Sequence, residues 1–519
     1  MDMAQRRRVL VTALEALEAG IWGAAEVLCR RFPLEDDDAA LLRGLALAGL
    51  GDVGSAARLL TAVARKRPGH AHPCTDFVRL CPAGPVAALF RACLLLTPDN
   101  ARLRRDYAAW LLDNDAAVEA EQVLRTALNS AGGQHLMGLA LTEQGKFGDA
   151  VGYFRRAANL DPVPSMAWAN LGMVLKIEGR FDEALAAYDE AVTRSPGDAA
   201  IRLNRMVVLL HAGNWTDAWQ DGDWRLRLPG YRGLPEDRLL PPNASLAGRT
   251  VLLTHEEGFG DTLQFLRYAP LLAERGAHLI AMMPAPLFRI AQRVPGIAAV
   301  LPMDASPPHY DYHCPMVSLP RAFGSTPDTV PPGDYLRVPF VPAENPRIGL
   351  VWAGQARPWL PGFSSLDARR SVSADVFDPL AAVPGVRFVS LQMGDAAKHP
   401  PPGLELTDPM PSVRDFADTA AIVAGLDLVI GVDTSIVHLA GAMGKPVFML
   451  DRYDNCWRWL SGRTDTPWYP SMTIFRQDAP HDWTGPMRRI VAAVTARFAA
   501  GAHPSPMRPS PVRQCRDAA

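Results

Sequence analysis

Two short stretches of this chain carry the residue types that group-transfer chemistry needs. The first is Gly258-Phe259-Gly260-Asp261, which follows an apolar strand at 251–254 and opens a helix at Asp261. Glycines let a backbone approach a ligand closely, and a carboxylate at that point can accept the proton of an incoming hydroxyl. His255, Glu256 and Glu257 just upstream are alternative bases, and Gln264 follows within one helical turn. The second stretch is Gly431-Val432-Asp433-Thr434-Ser435, where a strand at 426–432 runs into a helix that carries His438 in its first turn. Free amides and the positive end of a helix dipole favour a phosphate there, and the hydroxyls of Thr434 and Ser435 add donors. The plainer reading of Asp261, Asp433 and Thr434 is helix capping. The Gly-x-Gly at 258–260 also lacks the third glycine of the dinucleotide fingerprint.

The elements that must hold these residues alternate between strand and helix. Strands are expected at 251–254, 279–283 and 299–301, with helices at 261–275 and 287–293 between them. After a proline-rich stretch at 339–346 the pattern restarts, with strands at 347–352, 386–391, 426–432 and 446–450 and a last amphipathic helix at 483–499. Such alternation implies parallel sheets, hence two Rossmann-like lobes at 248–343 and 344–500. Ligands bind at the carboxyl ends of strands in open α/β sheets, so both chemical segments are expected at a cleft between the lobes.

A different period governs the first half. Gly138, Leu141, Gly145, Phe147, Ala150, Ala157 and Pro162 recur 34 positions later as Gly172, Leu175, Gly179, Phe181, Ala184, Ala191 and Pro196, and Gly213, Trp215 and Ala218 extend the series. Small residues where two helices meet, an aromatic after the turn and a closing proline at this period read as tetratricopeptide repeats. Upstream the pattern blurs to a spacing of 31, from Gly20, Trp22 and Ala25 to Gly51 and Ala56. The Pro-, His- and Gly-rich stretch from His70 to Pro85 interrupts it. Residues 1–228 therefore read as a helical solenoid with a concave surface for a partner. On this reading Phe147, Phe181, Tyr188 and Trp215 are packing residues. Prolines and glycines at 229–247 mark a linker, and 501–519 has the composition of a disordered tail.

Composition narrows the function classes. The net charge of −2 over 519 residues gives no bulk attraction to nucleic acid. The seven cysteines are odd in number and include no C-x-x-C pair, so sequence alone supports neither a disulfide framework nor a zinc site, and a reducing cytoplasm is expected. Arg6, Arg7 and Arg8 could open a signal peptide, but Glu15 and Glu18 break the apolar run that would follow. No window offers the ~18 apolar residues of a membrane span.

The pairing of GFGDTLQFLRYAPLL after the first strand with GVDTSIVHLAGAMGKPVFML near the end resembles the GT-B glycosyltransferases of the lipopolysaccharide heptosyltransferase type, over residues 248–500. With the repeats ahead of it, the chain is similar to bacterial repeat-containing protein glycosyltransferases, including those proposed to act on flagellin, and in architecture to the O-linked N-acetylglucosamine transferases. The resemblance implies that Asp261 is the base of an inverting transfer, with Gly258, Gly260 and Gln264 on the acceptor side. It places Asp433, Thr434, Ser435 and His438 at the diphosphate or ribose of a nucleotide-sugar donor. Gly354 would let the donor near the backbone, and Arg369 or, preferably, Arg370 would meet its phosphates. Trp457, Arg458 and Trp459 either flank the donor or pack. With no D-x-D beside the motif, neither a metal nor another cofactor is expected. Lipopolysaccharide heptosyltransferases lack this long repeat array, which favours a protein acceptor held by the repeats. Two alternatives stay open: a non-catalytic scaffold with a degenerate transferase lobe, and a transferase acting on lipopolysaccharide or polysaccharide.

Overall fold

The computed structural model describes residues 2–498 apart from 34, 68–69, 161–164, 230, 232, 337, 340–344 and 356–368. Pro162 of the repeat pattern and the tail 501–519 lie outside the described residues. Contacts divide the chain into two units, Met1–Val174 and Leu175–Ala519.

The first unit is built of helical hairpins: α1 (Met3–Glu18), α2 (Trp22–Cys29), α3 (Asp37–Gly49), α4 (Val53–Lys66), α5 (Cys74–Leu80), α6 (Val86–Leu96), α7 (Ala101–Asp113), α8 (Ala117–Leu124), α9 (Ala131–Glu143) and α10 (Phe147–Leu160), ending within α11 (Ser165–Ile177). The repeat signature has a direct physical cause. In α10, Phe147, Ala150, Val151, Phe154 and Ala157 follow three- and four-residue spacing and are all buried. Opposite them, a side chain at Gly138 of α9 would begin 2.7 Å from the Phe154 ring, so only glycine lets the two helices close. The turn glycine Gly145 has φ +74°, the left-handed exit that L-residues avoid. Asp36, Asp52, Asn100 and Ser130 cap α3, α4, α7 and α9 through their side chains.

The second unit begins with the last repeat helices, α12 (Phe181–Arg194), α13 (Ala199–His211) and α14 (Trp215–Gly222), whose turn glycines Gly179 and Gly213 repeat the left-handed exit. The sequence sets the end of the solenoid at 228, whereas the contact division falls at 174/175. The apolar faces of α13 and α14 explain the difference: Met206, Leu209, Leu210, Trp215 and Trp219 join one core with Val251, Leu253, Trp457 and Trp468 of the α/β region. Trp215 stacks on Trp468 at 5.2 Å between centroids, and Trp219 and Trp457 meet edge to face at 6.0 Å. The stretch at 229–247 is seated on the fold as well, with Leu239 bridged to His313 and Leu240 and Leu246 buried.

Two parallel sheets follow. In the first, β1 (Thr250–Thr254), β2 (His278–Met283), β3 (Ile297–Pro302) and β4 (Tyr312–Pro315) lie in the order β3-β2-β1-β4. In the second, β5 (Arg347–Val351), β6 (Arg387–Ser390), β7 (Leu406–Thr407), β8 (Leu428–Val432), β9 (Val447–Asp451) and β10 (Met472–Arg476) lie in the order β10-β9-β8-β5-β6-β7. β4, β7 and β10 have no counterpart among the sequence-expected strands; β4 and β7 are short and sit at sheet edges. The helix expected over 261–275 is broken into α15 (Phe259–Phe265), a 3₁₀ turn and α16 (Ala269–Glu274), because Pro270 cannot donate into a continuous helix. Further helices among the described residues include α17 (Phe288–Ala291), α18 (Leu319–Ala322), α19 (Phe416–Ala424), α20 (Ser435–Ala442) and α21 (Thr484–Phe498).

Candidate active site

Strand order decides where a ligand can enter. In the second sheet the chain winds from β5 through β6 to β7 on one side and from β8 through β9 to β10 on the other, so the direction reverses between β5 and β8, which pair Val351 with Gly431. Loops at such a switch point part and leave a crevice beyond the strand ends. Gly354 follows β5 and Asp433 follows β8, so they flank it. In the first sheet the reversal lies between β1 and β4, and the loop after β1 carries residues 255–261.

The structure brings the two segments into contact. A side chain on Gly260 would begin 2.7 Å from His438 Cδ2 and 3.4 Å from the Ser435 Cα, so the start of α15 rests on the start of α20 where the sequence suggests an open cleft. Gly260→Ala is therefore expected to push the lobes apart and cost about 1–3 kcal/mol, the range for overpacking; a thermal unfolding midpoint equal to the parent's would contradict this contact.

Asp261 is the N3 residue of α15, not its N-cap. Its Oδ2 accepts the Gly258 N–H at 2.9 Å, and its Oδ1 is ion-paired with Arg458 Nη2. Arg458 also donates from Nε to Gln264 Oε1 at 2.8 Å and lies 4.5 Å over the Trp457 ring. Burial opposes the Arg458 charge, but the Asp261 carboxylate holds its proton more tightly than usual. The two lobes are thus tied at the carboxylate that would act as base.

Of the alternative bases, Glu256 is committed elsewhere. It pairs with the buried Arg225 at 2.6 Å and accepts the Val317 N–H at 2.9 Å. His255 Nδ1 meets Thr262 Oγ1 at 2.7 Å, and burial lowers its pKa. Glu257 differs from both. Its side chain reaches solvent, its φ is +60°, and surrounding protein, helped by the Asp261 and Glu256 charges, raises its pKa above the ordinary glutamate value.

At α20 the capping reading does not hold. Thr434 occupies the N-cap position without a side-chain cap bond, and its buried Oγ1 has no hydrogen-bond partner. The first amides of a helix have no intrahelical acceptor, and no Thr434 side-chain bond caps the start of α20. Asp433 does not cap either: its Oδ2 accepts Trp459 Nε1–H at 3.0 Å, and its Oδ1 faces His438 Nε2 at 3.6 Å. Burial works to raise the Asp433 carboxyl, yet His438 and Trp459 hold it well below the usual carboxylate range. His438 is oriented through Nδ1 by the Tyr469 hydroxyl at 2.9 Å and stacks on Trp459 at 5.4 Å.

Arg370 lies over Gly354, where a side chain would begin 2.7–2.9 Å from the guanidinium, and donates to the Gln355 carbonyl at 3.3 Å. Arg369 instead pairs with Asp454 at 3.2 Å. The Trp457-Arg458-Trp459 trio separates by role: Trp457 belongs to the aromatic core, while Arg458 and Trp459 hold the two aspartates.

Two supporting residues have no sequence signal. Gln392 closes the end of β5, accepting the Trp352 and Ala353 N–H groups at 3.0 and 2.9 Å and donating to the Ala353 carbonyl at 3.0 Å. Arg267 is buried as a cation, held by the Trp468 and Pro331 carbonyls at 2.6 and 3.0 Å and lying 4.8 Å from the Tyr469 ring centre.

Comparison with known proteins matches both halves of this architecture. Tetratricopeptide repeat models match residues 135–199 and 178–222, and the model of glycosyltransferase family 9 (heptosyltransferase) matches 412–485, which contains Asp433, His438 and Arg458. The chain is similar to Protein FlbA of Caulobacter vibrioides, 26% identical over 547 residues that span 93% of this chain and 89% of the relative. Among solved structures, MamA is 18% identical with a TM-score of 0.27 and covers 32% of this chain and 93% of its own. PilW, a type IV pilus biogenesis factor, is 16% identical with a TM-score of 0.29 and covers 37% of this chain and 93% of its own. The chain thus carries tetratricopeptide repeats and a heptosyltransferase-type glycosyltransferase segment, and no helix among the described residues is long and apolar enough to cross a membrane.

Proposed function

We propose that this chain, with its tetratricopeptide repeats ahead of a heptosyltransferase-type region, transfers a sugar from a nucleotide-sugar donor to a hydroxyl of a protein acceptor, with inversion at the anomeric carbon. The observation that carries the reading is the meeting of two signature segments at the switch points of two parallel sheets, where Gly260 touches His438 and Asp261 pairs with Arg458.

In the proposed reaction the acceptor oxygen forms a bond to the anomeric carbon as the bond from that carbon to the diphosphate oxygen breaks. Asp261 takes the acceptor proton, and the nucleoside diphosphate leaves with its electron pair. The amides at the start of α20, the Thr434 and Ser435 hydroxyls and Arg370 stabilise the charge that develops on the leaving diphosphate. An anionic Asp433 would repel phosphate, so it suits a ribose or sugar hydroxyl and orients His438 and Trp459. Arg458 has the position to leave Asp261 for the diphosphate as donor binds, which would release the carboxylate for proton transfer. Gly258, Gly260 and Gln264 border the acceptor side.

A panel of nucleotide-sugars tests this by thermal shift and donor turnover. One donor is expected to stabilise the parent protein, with that stabilisation lost in Asp433→Asn; no shift with any donor would overturn the reading. Turnover is expected to be the same with and without added Mg²⁺ or Mn²⁺, because α20 and Arg370 supply the charge that a metal would otherwise bring. A strict requirement for added metal would remove that part of the mechanism. Pull-down of one protein through the repeats, and its glycosylation by the intact chain, would separate a protein acceptor from a polysaccharide one.

A further inference from the structure

The break in the repeat array between His70 and Pro85 delivers metal-type donors into the interior of the first unit. His72 precedes α5, Cys74 opens it, and Cys93 lies within α6; they are 3%, 0% and 0% exposed. One ligand atom from each lies within 4.8 Å of the others. Cys74 Sγ donates to Cys93 Sγ at 3.1 Å, and the Cys74 backbone N–H donates to His72 Nδ1 at 3.3 Å. One buried polar atom beside this pair, His72 Nε2, has no hydrogen-bond partner. Buried polar atoms in folded proteins are nearly always satisfied, so an orphan beside a thiol pair calls for a missing group.

We propose that His72, Cys74 and Cys93 bind one zinc ion. Two thiolates and a neutral imidazole form a soft set that excludes calcium and magnesium, which take oxygen ligands. A dication cancels the two thiolate charges, whereas a monovalent copper ion would leave a net charge in a dry interior. Tetrahedral zinc at ~2.3 Å from each sulfur needs the two Sγ atoms about 3.7 Å apart, a small side-chain movement from 3.1 Å. The fourth position falls to the Thr61 hydroxyl or a water. A Cys74–Cys93 disulfide would leave His72 Nε2 unsatisfied. Binding displaces the two thiol protons, one from each cysteine, and makes affinity rise with pH. Its consequence is structural: the ion would fasten the short α5 to α6 where the array loses its period, so that zinc binding adds to folding stability in this unit.

The test uses the full-length chain, reduced and stripped of metal. Titration with Zn²⁺ against a chromophoric chelator is expected to give one tight site with release of two protons. Co²⁺ in its place is expected to show a thiolate-to-cobalt charge-transfer band. Cys93→Ser and His72→Gln are expected to weaken binding on the order of 100-fold or more, while Cys81→Ser leaves it unchanged; circular dichroism shows that each variant keeps its helices. Binding that survives in a folded Cys93→Ser variant, a cobalt spectrum without the thiolate band, or recovery of Cys74 and Cys93 as a disulfide from metal-free protein would each overturn the proposal.

Discussion

Asp261→Asn is expected to lower kcat for glycosyl transfer by about 10²–10⁴-fold, the contribution of a positioned general base. The asparagine keeps an oxygen for the Gly258 N–H and so preserves the start of α15. It removes the charge facing Arg458, whose side chain is only 14% exposed, and a buried cation left alone is destabilising. The single variant therefore mixes chemistry with stability. Adding Arg458→Met removes the orphaned charge and is expected to restore the unfolding midpoint without restoring kcat. If the double variant regains activity to within about tenfold, proton transfer lies elsewhere. Glu257 would then be the group to replace, because its pKa is raised, its side chain reaches solvent and its backbone is held at φ +60°.

Trp219→Ala is expected to cost about 3–5 kcal/mol, the range for deleting a large buried aromatic, and to remove donor-induced stabilisation with it. Trp219 is 4% exposed, packs against Trp215 and Trp457, and donates its indole N–H to the Ser325 carbonyl at 2.7 Å. Its removal opens a cavity where the last repeat helix meets the α/β core and leaves a buried carbonyl unpaired. Denaturant unfolding followed beside donor binding checks both effects. A change below about 1 kcal/mol with donor binding intact would mean that α12–α14 ride on the catalytic region without supporting it. The same reasoning predicts that a truncation at 228 strips the α/β core of Trp215 and Trp219.

The tetratricopeptide period was legible because it is local. Gly138 must admit the Phe154 ring and Gly145 must turn left-handed, so these positions recur every 34 residues wherever a hairpin of this kind forms. The alternation of apolar strands with helices was legible for the same reason, and β1, β5, β8 and β9 fall within a residue or two of where the hydrophobic runs place them. Gly258-Phe259-Gly260-Asp261 and Asp433-Thr434-Ser435 could be picked out because glycines and short polar residues at a strand-to-helix junction are few. Whether they cap their helices or serve a ligand was not legible, since both uses select the same residue types.

The contacts that build the site were made by tertiary structure. Asp261 and Arg458 are 197 residues apart, and Gln392 reaches the end of β5 from 40 residues away, distances that no periodicity encodes. The contact division falls inside the repeats because Trp215 and Trp219, which satisfy the repeat pattern, also complete the core of the α/β region. The cysteines looked scattered for a similar reason: Cys74 and Cys93 lie on different helices, and only the packing of α5 against α6 brings them together with His72. Sequence alone determined which elements form and which residues can do chemistry, because those depend on neighbours along the chain. Partners across the fold depend on how sheets and helices stack, and only the folded chain settles them.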